Sequence, residues 1–246
     1  MKAAIIYLLA ITTAELVTAL GQPLWGLVCH AIVLVAAVMH SALASDPRYR
    51  HLVLSLALVP LVRIISLGMP LDSIPQIWRY PIIYAPLLAA AIMVVRILGI
   101  RAREVGINFG LFRIQLAVGL SGLLFGVAEY FILTPESLIA ELTWREVWLP
   151  ALIFQGCTGF IEEFIFRGVL QRTAVGVFGG WRGIIYVSLL FAVLHVGFLS
   201  LLDVVFVFLV AMFFGWVVKK TGSLFGVTLA HGLTNISLYL VLPHLF

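Results

Sequence analysis

Charged residues are scarce in this sequence. Only 11% of its 246 residues are Asp, Glu, Lys or Arg, whereas a typical soluble domain contains about 25%. The chain is instead 63% hydrophobic, with a mean hydropathy of +1.17. No water-soluble core accounts for this excess, and a soluble globular protein is therefore excluded.

Cysteine is also rare, and repetitive or linker-like segments are absent. The two cysteines, Cys29 and Cys157, lie inside apolar blocks and lack the spacing of metal ligands. We therefore predict neither a disulfide framework nor a cysteine-based zinc site. The chain has no internal repeat and no Pro/Gly/Ser-rich linker, so we treat it as one bundle.

The excess of basic residues is small and dispersed. The formal net charge is +4, but Lys and Arg occur singly or in pairs between apolar blocks. Nucleic-acid binding requires a basic patch or stripe. We therefore predict no nucleic-acid partner and interpret the cations as determinants of membrane topology.

Long apolar blocks make up most of the chain. One helical crossing of a bilayer needs about 20 mostly apolar residues. Nine blocks of roughly this length lie at 3–20, 25–44, 52–68, 81–100, 112–133, 148–171, 183–199, 203–218 and 224–243. We predict an all-α, polytopic transmembrane helical bundle with nine spans, or with eight if the first block is a cleaved signal.

Basic residues are unevenly divided between alternate loops, as expected when Lys and Arg are retained in the cytoplasm. One set of ends and loops contains Lys2, Arg48, Arg50, Arg101, Arg103, Arg113, Arg172, Arg182, Lys219 and Lys220. The other contains only Arg79 and Arg145. We predict an integral membrane protein whose N-terminus is cytoplasmic, and the short loops favour a prokaryotic plasma membrane.

Polar residues that are costly in a bilayer cluster in three late blocks. Each ionisable residue at a helix centre costs about 2.5 to 3.5 kcal/mol to insert. The set comprises Glu162, Glu163 and Arg167 in the sixth block, His195 in the seventh, and His231 and Asn235 in the ninth. At about 1.5 Å per residue, Glu162, His195, His231 and Asn235 lie at similar depths, and Glu163 shares a helical face with Arg167. We predict that they converge on one cavity.

Other polar residues in the blocks are assigned structural roles. His30, His40 and Glu129 are predicted to make interhelical hydrogen bonds. Glu15, Arg63 and Arg96 are interpreted as structural or close to a boundary. An aromatic tract, comprising Phe206, Phe208, Phe213, Phe214 and Trp216, is predicted to face lipid or to form packing surface.

Three motifs carry a resemblance to a known family. Residues 162–168 match EExxxRG, residues 191–195 match FxxxH, and residues 231–235 match HxxxN. In this order and on three apolar helices, they resemble the CPBP family of CAAX-processing and bacteriocin-immunity (Abi) intramembrane proteases. We therefore divide the chain into N-terminal transmembrane helices without a motif, 1–110, and a CPBP/Abi-like catalytic bundle, 111–246.

The resemblance implies a peptidase that acts on a membrane-embedded or lipidated peptide or protein beside the lipid bilayer. By motif position, Glu162 is the general base and His195 helps to orient the same water. Glu163 is held by Arg167, while His231 and Asn235 form the oxyanion hole. The substrate itself is not indicated by these residues.

Three alternatives stay open at this point. A zinc enzyme with Glu163, His195 and His231 as ligands is one, but no HExxH pair is present, so we favour a metal-free mechanism without a cofactor. A non-catalytic scaffold or bacteriocin-immunity protein that binds a peptide in the same cavity is the second. The third is a proton-coupled transporter. It is disfavoured because the sequence shows no symmetry between two halves of the chain, which many transporters have.

Overall fold

The chain folds into a bundle of helices. The computed structural model describes residues 2–246, and within that range it contains no β-strand. Nine helices in the same range are long and apolar enough to cross a membrane: Lys2–Ala19, Pro23–Leu43, Pro47–Gly68, Gln76–Ile97, Phe112–Leu133, Trp144–Phe178, Gly180–Phe198, Leu201–Thr221 and Phe225–His244. We number them as the first to the ninth span. The prediction of an all-α, nine-span bundle is confirmed.

Large apolar side chains cover much of the outer surface of the bundle. Leu9, Ile32, Leu124 and Leu209 are each more than half exposed. In water such a surface would drive aggregation, whereas in a bilayer the acyl chains solvate it. The apolar exterior is therefore consistent with a chain whose helices satisfy their own backbone hydrogen bonds within lipid.

The third span begins earlier than the apolar block that predicted it. Its first turn is polar, but the Asp46 side chain accepts a hydrogen bond from the Arg48 amide at 2.9 Å, and Pro47 occupies the first helical position. Both features favour helix initiation. The span is then interrupted at Ala57, where Pro60 cannot donate to the Leu56 carbonyl one turn earlier.

The sixth span is the longest, with 35 residues. Its middle is wound as wide π-helical turns, Gln155–Glu162 and Phe164–Gln171, on either side of Glu163. Such turns are rare in α-helices and frequently mark functional sites. The two adjacent glutamates therefore lie at the centre of an unusual helical segment.

Small residues bring the fifth and ninth spans into close contact. Gly119, Gly122 and Gly126 form a stripe on the fifth span that faces the ninth. A Cβ atom added at Gly126 would lie 2.8 Å from the Thr234 carbonyl oxygen, which leaves no room for a side chain. This close approach positions the ninth span, as small-residue stripes commonly do in membranes.

The first three spans meet in a buried polar cluster. One carboxylate oxygen of Glu15 accepts from Arg63 Nε at 2.7 Å and lies 3.1 Å from His30 Nε2. Arg63 also donates to the Leu194 carbonyl at the end of the seventh span. The structural roles predicted for Glu15 and Arg63 are confirmed, and Arg63 joins the early spans to the later ones. The His30 ring lies beside Glu15 but makes no hydrogen bond within residues 2–246, so the hydrogen bond predicted for it is absent there.

A short helix, Ala102–Val105, connects the fourth and fifth spans and is fixed by contacts of Glu104. Glu104 accepts from the Arg101 amide at 2.9 Å and pairs with Arg172 at 2.7 Å. These partners, the Arg101 amide most strongly, lower the pKa of the Glu104 carboxyl. The ion pair is half exposed and adds little to stability.

Candidate active site

A large cavity lies within the bundle. Its volume is about 860 Å³, and it extends to residues 69–72 in the loop between the third and fourth spans. We call this end the mouth. Seven spans contribute to the wall, through Arg63, Tyr84, Glu129, Glu162, His195, Phe214 and His231 among others.

Five of the six predicted site residues line this cavity. They are Glu162, Arg167, His195, His231 and Asn235. The sixth, Glu163, is fully buried behind the wall and contacts two of the others. The structure therefore brings together the side chains that the sequence placed at a common depth on three separate helices.

Glu162 faces the cavity between a tyrosine and a histidine. One of its oxygens accepts a hydrogen bond from the Tyr84 hydroxyl on the fourth span. The other lies 3.9 Å from Nε2 of His231. The sequence offered no signal for Tyr84, because tyrosine is a common residue in membrane spans.

Glu163 connects Arg167 to His231. Its Oε1 atom accepts from Arg167 Nη1 at 3.1 Å and from His231 Nδ1 at 2.8 Å. The Arg167 guanidinium also lies 4.5 Å from the centre of the Phe191 ring, a stabilising cation–π contact. The predicted Glu163–Arg167 pair is confirmed, and the same carboxylate orients His231, which was not predicted. Because the carboxylate is an acceptor, Nδ1 carries a proton and Nε2 is directed toward Glu162.

Asn235 is held by the helix that carries the two glutamates. Its Nδ2 atom donates to Oγ1 of Thr158 at 2.8 Å, and that hydroxyl donates in turn to the Phe154 carbonyl at 2.9 Å. A side-chain amide has two N–H groups, so one remains to donate into the cavity. Thr158 lies one turn before Glu162 and was not identified from the sequence.

His195 lies where the seventh span ends. Its Nδ1 atom donates to the Phe191 carbonyl at 3.0 Å, which leaves Nε2 as the acceptor of a neutral ring. The preceding residue, Leu194, receives the hydrogen bond from Arg63. A residue of the N-terminal half therefore anchors the backbone next to a predicted site residue.

The aromatic tract of the eighth span forms packing surface, one of its two predicted roles: Phe206, Phe208, Phe213 and Phe214 pack in the core, and Phe206 and Phe214 also line the cavity. One structural assignment made from the sequence is wrong. Glu129 makes no hydrogen bond or ion pair with any residue in the described range, 2–246. It points into the cavity and is not the interhelical contact that we expected.

The residues of the zinc alternative are not arranged as a metal site. Within residues 2–246, no group of three or more His, Cys, Asp or Glu side chains has a geometry that holds a metal ion. Glu163 Oε1 instead bonds with Arg167 and His231. Glu163, His195 and His231 therefore do not form a cluster with metal-ligand geometry in this structure.

Fold and site together define a polytopic helical membrane protein with a Glu, His and Asn constellation in a large intramembrane cavity. Residues 143–237 match the family model described as type II CAAX prenyl endopeptidase Rce1-like. The matched segment contains all six predicted site residues, and it confirms the resemblance read from the motifs. It supports a CAAX-type intramembrane protease. No curated protein and no solved structure matches the chain.

Proposed function

We propose that this protein is an intramembrane endopeptidase that hydrolyses a peptide bond in a membrane-associated or lipidated peptide or protein. The observation that carries the proposal is the pairing of Glu162 with His231 Nε2, 3.9 Å apart, on the wall of a cavity of about 860 Å³. That volume is within the range of ligand sites in proteins.

Glu162 acts as the general base in this proposal. Its carboxylate takes a proton from a water molecule in the cavity, and the resulting hydroxide attacks the scissile carbonyl carbon. The Tyr84 hydroxyl holds one carboxylate oxygen, so the other is directed toward the reacting water. When the C–N bond breaks, the protonated Glu162 returns its proton to the leaving amine.

His231 and Asn235 stabilise the negative charge that develops on the carbonyl oxygen. They lie four residues apart on one face of the ninth span, and each is oriented by a partner on the sixth span, Glu163 and Thr158 respectively. In this proposal His231 is doubly protonated beside the Glu163 carboxylate and donates from Nε2, and Asn235 donates through its second amide N–H. Preorganised donors of this kind contribute about 2.7 to 4 kcal/mol each to the transition state. His195, on the same cavity wall, is assigned to orienting the water.

Replacement of Glu162 by Gln tests this proposal. The full-length protein, reconstituted in liposomes, is assayed with internally quenched lipidated peptides. We expect Glu162→Gln to reduce kcat/KM by about a hundredfold or more, because a general base contributes 10²- to 10⁴-fold. Glu141→Gln, which removes an exposed loop acid, serves as the matched control and should retain full activity. Undiminished cleavage by a folded Glu162→Gln protein would instead contradict the assignment.

The same assay addresses the metal-free mechanism that we propose. We expect cleavage to survive exhaustive chelation in protein that contains no stoichiometric zinc. Chelator-sensitive cleavage that zinc restores would overturn this part of the proposal. A biological phenotype that persists in a stable Glu162→Gln variant would favour the non-catalytic scaffold or immunity protein.

We also propose that the N-terminus is cytoplasmic, in a prokaryotic plasma membrane. The loop with residues 69–72 belongs to the set that carries only Arg79 and Arg145. The positive-inside rule favours an extracytoplasmic location for this set, so we propose that the mouth of the cavity lies on the outer side of the membrane.

A further inference from the structure

An acidic side chain in the cavity has no role in the proposed reaction. Glu129, on the fifth span, is only 8% exposed and contributes to the cavity wall. It lies four residues, about 6 Å along the helix axis, from Leu133, where the fifth span ends on the side of the mouth. A carboxyl group buried in this way is costly in a membrane unless it is paired or functional.

A second acid lies close to Glu129. Asp203, near the start of the eighth span, is fully buried, and neither of its carboxylate oxygens has a hydrogen-bond partner. Its position in the first helical turn is favourable for an acid, but the turn supplies no donor to the side chain. The fifth and eighth spans pack against each other here: the ring centres of Phe125 and Phe206, one turn from Glu129 and from Asp203 respectively, lie 6.4 Å apart.

No arginine of the cavity wall forms an ion pair with these two acids. Arg63 pairs with Glu15, and Arg167 pairs with Glu163. Arg79 donates to the Ile74 and Asp72 carbonyls at 2.8 and 3.1 Å. None of the three arginines that line the cavity is therefore paired with Glu129 or Asp203, and Glu129 presents its carboxyl group to the cavity without a partner.

We infer that Glu129, with Asp203 behind it, forms a subsite that binds a cationic group of the substrate, such as a lysine or arginine side chain. This inference rests on the proposed function, since it places the bound cation in the same cavity as Glu162 and His231. The subsite lies between these groups and the mouth, so the cation belongs to a residue within a few positions of the scissile bond. The result is a preference for basic substrates.

Binding measurements with an inactive protein test the subsite separately from catalysis. Full-length protein with Glu162→Gln is placed in lipid nanodiscs and titrated into fluorescent prenylated peptides. One set carries a single lysine at one of the four positions next to the prenylated cysteine, and a matched set carries acetyl-lysine at the same position. We expect the dissociation constant to be at least about tenfold lower for lysine at one position, the usual size of a charge-assisted hydrogen bond.

Replacing each of the two acids by its amide, in the same inactive protein, tests whether the subsite causes the preference for lysine. Adding Glu129→Gln is expected to reduce the lysine preference to less than about twofold, and adding Asp203→Asn to reduce it partly. Affinity for the acetyl-lysine peptides should not change, which shows that the protein remains folded. Glu141→Gln, on an exposed loop, should leave the preference intact.

The outcomes separate this inference from the proposed function. The subsite is overturned if the lysine and acetyl-lysine peptides bind with equal affinity at all four positions. It is also overturned if neither set binds measurably. A preference that survives Glu129→Gln also overturns it. Failure of the wild-type protein to cleave the same peptides counts against the peptidase, whereas a lysine preference that depends on Glu129 still supports the subsite.

Discussion

Individual side chains of the site are oriented by partners on other helices. Asn235, on the ninth span, depends on the Thr158 hydroxyl of the sixth span. His231 depends on Glu163, and Glu162 on Tyr84. The geometry of the proposed catalytic site is therefore distributed over three helices. Changes that remove only an orienting atom should reduce the rate without abolishing binding.

Thr158→Val tests the orientation of Asn235. Valine has nearly the same shape as threonine but cannot accept a hydrogen bond, so the Asn235 amide loses its fixed direction. We expect kcat to fall about tenfold with little change in KM, as one hydrogen bond contributes about that much. Thr158→Ser keeps the hydroxyl and should stay close to wild type. If the serine and valine variants lose activity equally, the hydroxyl does not position Asn235.

Arg167→Gln tests the buried ion pair. The side chains of Arg167 and Glu163 are at most 1% exposed, and removing one partner leaves an uncompensated buried charge. We expect the free energy of unfolding to fall by about 3 to 5 kcal/mol, measured by denaturant unfolding in detergent. The double variant Glu163→Gln/Arg167→Gln should recover part of this loss.

The surface pair supplies a control for the Arg167 experiment. Arg172 and Glu104 are paired at 2.7 Å, but both side chains are about 40% exposed. Solvent screens such pairs, so Arg172→Gln should leave the unfolding midpoint nearly unchanged. An equal loss of stability in the Arg167 and Arg172 variants would show that burial does not govern the effect.

Among the helices, the fifth and ninth spans make a close contact that leaves no room for added side chains. The ninth span carries His231 and Asn235, and its distance from the fifth span is set by the glycine stripe. The sixth span faces the same cavity through its π-helical segment. Displacement of the ninth span would therefore separate the proposed oxyanion donors from Glu162.

Gly126→Val tests this contact. The added side chain meets the Thr234 carbonyl and the Ser237 side chain, so the ninth span must move away. Overpacking of this kind costs about 1 to 3 kcal/mol, and we expect a lower melting temperature together with a loss of cleavage of at least about tenfold. The control is Gly176→Ala, because a Cβ atom there meets nothing within 4 Å. Full activity of Gly126→Val would show that the site tolerates a wider spacing.

At the scale of the whole molecule, the mouth of the cavity and the basic loops lie at opposite ends of the bundle. Arg63, Tyr84 and the mouth residues come from the segment 1–110, and the three motifs come from 111–246. The division into these two segments stays a prediction. The cavity itself draws on both, so we expect the N-terminal spans to be needed for activity.

Cysteine labelling tests the orientation of the bundle. After replacement of Cys29 and Cys157 by alanine, Ser73→Cys is introduced beside the mouth and Ser45→Cys in a basic loop; both positions are exposed. A membrane-impermeant maleimide added to intact cells should label only position 73 if the basic loops are cytoplasmic, as we propose. Labelling of position 45 alone would reverse the orientation and place the mouth inside the cell.

The sequence alone determined the apolar spans and the residues of the candidate site. Hydropathy is a local property, so each span can be identified from its own residues. Ionisable residues inside a span are costly to insert and can therefore be identified without knowing the tertiary structure. These residues are Glu162, Glu163, Arg167, His195 and His231. Their shared depth followed from helical rise and the span boundaries. The sixth span was nevertheless predicted too short, because its polar ends and π-helical turns do not follow from apolar composition.

Only the tertiary structure decided which groups meet across the bundle. Tyr84, Thr158 and Glu129 are ordinary residues in their own helices, and their roles depend on helix rotations set by packing against distant segments. The same packing turned Phe214 toward the cavity and left Glu129 without a partner. Hydrogen-bond partners over 70 positions apart, such as Asn235 and Thr158, are specified by side-chain contacts between helices, which a pattern along a single chain does not encode.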